Sequence, residues 1–263
     1  MTTPEKSRNT LVLSFLSLRR VLGVLGMGLP FLLYLGGLAI YGVPLLSSVS
    51  AYYHSPARDI LVGTLCAIGV FLLCYRGFEP LPGERLTDRR VSFVAGLGAL
   101  GVAFLPTRRT CPEEELVCAV LPCRPVCGHE GACPDIRLSS LWSDLACAEN
   151  TLWALHVVAT VLFLGALAVM ALVNFRRTGP LAPSPDKIRR NRVYALCGTL
   201  ILVFGVLAGW ASFMDEERFY GLANPVFWFE AGAVFFFGVA WFVKGEVLEN
   251  LPRLGAWFGP AAE

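Results

Sequence analysis

Val226-Phe-Trp-Phe-Glu-Ala-Gly-Ala-Val-Phe-Phe-Phe-Gly-Val-Ala-Trp-Phe-Val243 is a run of eighteen residues with one ionisable side chain, Glu230. As a helix it extends about 27 Å, close to the roughly 30 Å hydrocarbon core of a bilayer. It lacks the alternation of a barrel strand, and a backbone in lipid must satisfy its hydrogen bonds within the segment, so helix is expected. Asn224-Pro225 supplies a cap and a first helical position, which puts Glu230 roughly 8 Å along the helix. Lys244 and Glu246 close the run, and Lys244 is expected to snorkel to the nearby interface.

Five further apolar stretches lie at 21–46, 60–78, 91–106, 152–175 and 193–213, of which 60–78 and 91–106 are short. The expected fold is therefore an all-α polytopic integral membrane protein, a six-transmembrane-helix bundle. Composition agrees: 55% of residues are hydrophobic and 16% charged, against about 45–50% and 25% in soluble domains. A net charge of +2, with no basic groove interleaved with aromatics, argues against nucleic acid as a partner. The apolar run after residue 20 exceeds the roughly 7–15-residue core of a signal peptide, so the first span is expected to be retained. Residues 11–18 fit an interfacial helix or an extension of that span.

Of the 22 Lys and Arg residues, sixteen fall on the side of the two termini and six, including Arg58, Arg108, Arg124 and Arg218, on the other. The positive-inside rule then places both termini in the cytoplasm. The resulting division is a cytoplasmic segment 1–20, three spans within 21–107, an extracytoplasmic loop 108–148, three spans within 149–246, and a cytoplasmic tail 247–263. Cys111, Cys118, Cys123, Cys127, Cys133 and Cys147 all lie in that loop. An even set in a Pro-rich outer loop reads as up to three disulfides of open pairing. Zinc binding is the competing reading, against which the C-x₂-C spacing is missing. Residues 179–186 read as a linker, and the basic run 187–192 as a topology signal that also attracts anionic lipid. Ala95, Ala99 and Ala103, and the Gly205-x-x-x-Gly209 pair, mark close helix packing.

Chemistry is expected at the outer ends of the spans. In Ser50-Ala-Tyr-Tyr-His54-Ser-Pro-Ala-Arg-Asp59 the Ser55-Pro56 pair predicts a helix start, with Asp59 in the first turn against the dipole. His156 lies one turn inside the fourth span. Ser50, His54, Asp59, His156 and Glu230 all fall at one leaflet boundary and can converge. Ionisable groups within spans are costly and suggest a site facing the bundle interior. His54, His156 and a carboxylate from Asp59 or Glu230 are candidate zinc ligands, and a zinc hydroxide there would hydrolyse an ester or amide. A lipid head-group site, a proton relay, and interfacial residues bonded to each other are the other readings.

The Ser50-x-x-x-His54 element is similar to that of the membrane hydrolases that include alkaline ceramidases and adiponectin and progestin receptors, and implies a zinc-dependent lipid hydrolase. That family also carries a paired histidine motif near its carboxyl end; this chain has only His54, His129 and His156. Six spans, a Ser-containing first outer loop and the Arg58-Asp59 lead into the second span resemble the proteins related to the damage-regulated autophagy modulators and their bacterial relatives. That resemblance implies a membrane protein without an assigned reaction. The leading expectation is binding of membrane lipid or a protein partner at the outer face, and the alternative is a metal-dependent hydrolase. The Leu, Ala, Gly and Arg bias suggests a bacterial plasma membrane.

Overall fold

The computed structural model describes residues 3–78, 83–107, 149–177, 184–214 and 223–245. The six loop cysteines and the pairing expected of them therefore lie outside the described residues; Cys66, Cys74 and Cys197 are free thiols. Among the described residues every regular element is helical.

Helix α1, Thr3–Phe31, continues through a π-helical turn, Leu32–Gly36, into α2, Gly37–Tyr41. Pro30 sits just ahead of the π turn. It has no N–H to give the helix, and single-turn π segments of this kind accommodate such local breaks. The stretch 11–18 is thus an extension of the first helix. Gly42 ends α2 in a left-handed conformation, φ 66°, which glycine adopts without the penalty of a Cβ.

A 3₁₀ turn, Ser50–His54, leads to α3, Arg58–Cys74. The helix starts two residues later than Ser55-Pro56 predicts. Ser55 Oγ instead donates to Tyr52 O at 2.8 Å and accepts from Ala57 N at 3.2 Å, closing the turn that precedes the helix. Helix α4, Asp88–Phe104, is capped by Thr87, whose Oγ1 accepts from Arg90 N. Helix α5, Glu149–Val169, runs into a second π turn, Met170–Asn174. Helix α6, Pro185–Ala211, has Ser184 as its cap. The helix begins eight residues before the apolar stretch, so the basic run 187–192 lies in its first turns. Helix α7 is Pro225–Lys244.

Four stretches are long and apolar enough to cross a membrane: Phe15–Tyr41, Thr151–Asn174, Pro185–Ala211 and Pro225–Lys244. Helices α3 and α4 have 17 residues each, about 25 Å of rise, yet run between the same two ends as the others. At one end Arg19 of α1 bonds to Tyr75 after α3, and Asn174 after α5 bonds to Asp88 of α4. At the other, His156 of α5 bonds to Leu105 after α4, and Glu230 of α7 bonds to the chain just before α3.

The helices form a ring: α1 on α7, α7 on α6, α6 on α5, α5 on α4, α4 on α3, and α3 back on α1. Without a hydrophobic drive between helices in lipid, small residues decide how closely they approach. Ala95, Ala99 and Ala103 are fully buried, as their stripe predicts. The tightest crossing, however, uses Gly23 of α1 against Gly238 of α7. A Cβ on Gly23 would stand 2.6 Å from Phe242 N and 2.8 Å from Gly238 O. The outward face is apolar, with Val206 70% and Val161 64% exposed.

Candidate functional site

A cavity of about 600 Å³ opens between α5 and α6, at the end of the bundle where α7 begins. Glycines on α6 trace its shape. A Cβ on Gly198 would lie 3.1 Å from Ala171 Cβ, one on Gly205 3.6 Å from Leu164, and one on Gly209 would meet nothing within 4 Å. The two helices touch at one end and diverge toward the other. Gly205 and Gly209 line the cavity, so the Gly-x-x-x-Gly pair makes room in place of the helix contact expected of it.

The body of the cavity is apolar, walled by Val157, Val161 and Leu164 of α5 and Leu202 and Val206 of α6. The end near the start of α7 is polar and comprises Ser47, Ser48, Thr107, His156 and Glu230. Among its described lining residues Glu230 is the only acid. The volume lies within the roughly 300–1,000 Å³ of small-molecule sites.

The loop between α2 and the 3₁₀ turn is fastened across the start of α7. Phe227 N donates to Ser47 O at 3.0 Å and Asn224 Nδ2 to Leu45 O at 3.2 Å. Asn224 precedes the helix in a left-handed conformation and makes no side-chain cap; its amide serves the loop. Glu230 completes the attachment: its Oε2 accepts from Val49 N at 2.8 Å and Ser50 N at 3.3 Å. Both bonds fall on Oε2, leaving Oε1 without a partner among the described residues.

His156 bridges the same loop to α4. Its Nδ1 stands 2.8 Å from Leu105 O and its Nε2 3.1 Å from Ser50 Oγ. A carbonyl only accepts, so Nδ1 carries a proton, and in the neutral ring Nε2 accepts from the Ser50 hydroxyl. A serine bonded to a histidine has the makings of a nucleophile and base. Ser50, however, is buried at 6% exposure and is not among the residues lining the cavity.

Three of the five residues singled out in the sequence, Ser50, His156 and Glu230, therefore meet. The other two do not join them. His54 turns to the end of α4, where its Nε2 donates to Thr107 O at 2.7 Å, and its ring stacks edge-on against Tyr53. Asp59 is exposed in the first turn of α3, where the helix dipole alone accounts for an acid. Among the described residues no group of three His, Cys, Asp or Glu side chains stands close enough to hold a metal ion. His156 also commits both ring nitrogens to the protein, so His54 and His156 do not fit a zinc site with either Asp59 or Glu230. The sequence reading missed Ser48, Thr107 and Trp153 as lining residues. Trp153, one turn before His156, was the available signal, because tryptophan favours membrane boundaries.

Lys244 also departs from expectation. It does not snorkel: 8% exposed, its Nζ lies 4.9 Å from the Phe78 ring and 5.0 Å from that of Phe175.

No protein-family model matches this chain, and no curated protein or solved structure shows significant similarity to it. The two resemblances rest on the residues quoted for them.

Proposed function

We propose that the protein is a six-span membrane protein that takes an amphipathic lipid into the cleft between α5 and α6, with its head at the polar end and its tail along the apolar walls. The carrying observation is the cavity itself, which is polar at the end where α7 begins and apolar where Val161 and Val206 reach the bundle surface. Such a side opening admits a ligand from the hydrocarbon layer.

Glu230 as the one acidic lining residue disfavours an anionic head and favours a neutral hydroxyl or a cationic amine that can donate to Oε1. The hydroxyls of Ser48 and Thr107 add partners for it. Two features support six spans: α3 and α4 reach both ends of the ring, and their apolar residues continue its core. The basic-residue count supports cytoplasmic termini, with the cleft's polar end toward the outer face.

Lipid retained through purification tests this. Gly205→Leu with Gly209→Leu places side chains in the open cleft, where each would-be Cβ has room. Bound lipid measured by mass spectrometry should fall by about tenfold or more, equivalent to about 1.4 kcal/mol, while melting is unchanged or raised by the gain in helix propensity. Equal lipid in both proteins would exclude the cleft as the site.

A further inference from the structure

The opposite end of the ring gathers positive charge beyond what its fold consumes. Among the described residues, the charges acting on Lys244 are three cations, Arg19, Lys187 and Arg190, and one acid, Asp88. Asp88 is already engaged. Its Oδ1 accepts from Asn174 Nδ2 at 2.7 Å and lies 3.5 Å from Arg177 Nη1, and its Oδ2 accepts from Phe78 N at 3.2 Å.

Other cations there have local duties. Arg20 donates from Nε to Gly245 O at 2.9 Å, and Lys187 from Nζ to Phe175 O at 2.8 Å. These bonds satisfy carbonyls at the ends of α7 and α5, as basic residues do at helix C-termini. Lys244 makes no hydrogen bond or ion pair with a described residue. Arg19 is 7% exposed and its Nε is buried without a partner, although Nη2 donates to Tyr75 OH at 3.2 Å. A buried cation without a counter-ion is costly, and aromatic faces replace only part of its hydration.

We propose that the middle of α1 and the ends of α6 and α7 at this side form a receptor for an anionic phosphate group, with Lys244 and Arg19 as its buried contacts and Lys187 and Arg190 at its rim. A phosphate offers several acceptor oxygens, which suits a lysine point charge beside an arginine fork. The phosphate of a lipid head group and a free phosphate share this chemistry. Basic pockets between spans on the cytoplasmic side are where anionic head groups bind.

The test uses the full chain in three preparations: phosphatidylcholine vesicles, the same vesicles with added phosphatidylglycerol, and phosphatidylcholine vesicles in inorganic phosphate. Phosphatidylglycerol should raise Tm by about 5–10 °C when the site is saturated. A matching rise with inorganic phosphate alone would identify the free anion as a ligand. Lys244→Met keeps the apolar stem between Phe78 and Phe175 and removes the charge. It should raise Tm in phosphatidylcholine alone and lose most of the rise on adding the anion, whereas a residue needed only for packing would lower Tm in every preparation. Arg19→Gln provides a second reading should Lys244→Met not fold, and Arg58→Gln, at the far end, should keep the full response. No rise with either anion in the unmodified protein, or an undiminished rise in Lys244→Met and Arg19→Gln, overturns the proposal.

Discussion

The two ends of the ring solve opposite electrostatic problems with similar parts. At the cleft end a single carboxylate, Glu230, is held through one oxygen by two backbone N–H groups and lines the polar part of the cavity. At the other end Arg19 and Lys244 are buried among aromatic rings with one acid in range among the described residues, already engaged elsewhere. The difference teaches that burial alone does not define a site. What matters is how much of each group's hydrogen-bonding and charge the protein satisfies itself, and which sign remains.

That contrast is broken most severely by Glu230→Lys. It strands the N–H groups of Val49 and Ser50, at about 1–3 kcal/mol each, and puts a cation where the proposed ligand carries a donor. Retained lipid should vanish and Tm fall by several degrees, measured on the same preparation. His156→Ala comes next. It frees Leu105 O and Ser50 Oγ, so a loss of about 1–3 kcal/mol is expected in chemical denaturation, with lipid still bound because Glu230 keeps its place. Abolished binding together with unchanged stability would instead mark His156 as a direct ligand contact. Asp59→Asn should change least, by no more than about 1 kcal/mol, the usual value of an acid in a first helical turn. A larger loss would mean that Asp59 belongs to the site after all.

The apolar stretches were legible in the sequence because a chain in oil has few alternatives to helix, and the structure confirms a helical fold with four helices fit to cross a membrane. Their ends were less legible. Helix α6 extends into the basic run 187–192 because a helix does not need lipid to continue, so hydropathy marks where oil ends and not where the helix does. The gathering of Ser50, His156 and Glu230 followed from their shared depth. Depth fixes only one coordinate; rotation about the axis separates His54 and Asp59 from them, and hydropathy carries little of that. The cleft was hidden for a related reason. Gly205 and Gly209 read as a close contact, and only the divergence of α5 from α6 shows that they leave a gap. Lys244 was misjudged because its four-carbon stem permits both escape to water and enclosure by Phe78 and Phe175.

Helices α3 and α4 are neighbours, and both are short. Together they give the molecule a low flank, about 25 Å tall, beside taller helices. On the proposed six-span reading, a bilayer of ordinary thickness would dimple or let the protein lean to meet that side, at a small cost for each ångström of mismatch. The protein should therefore gather in thinner patches of membrane, or turn its low side toward another protein whose rim is equally low.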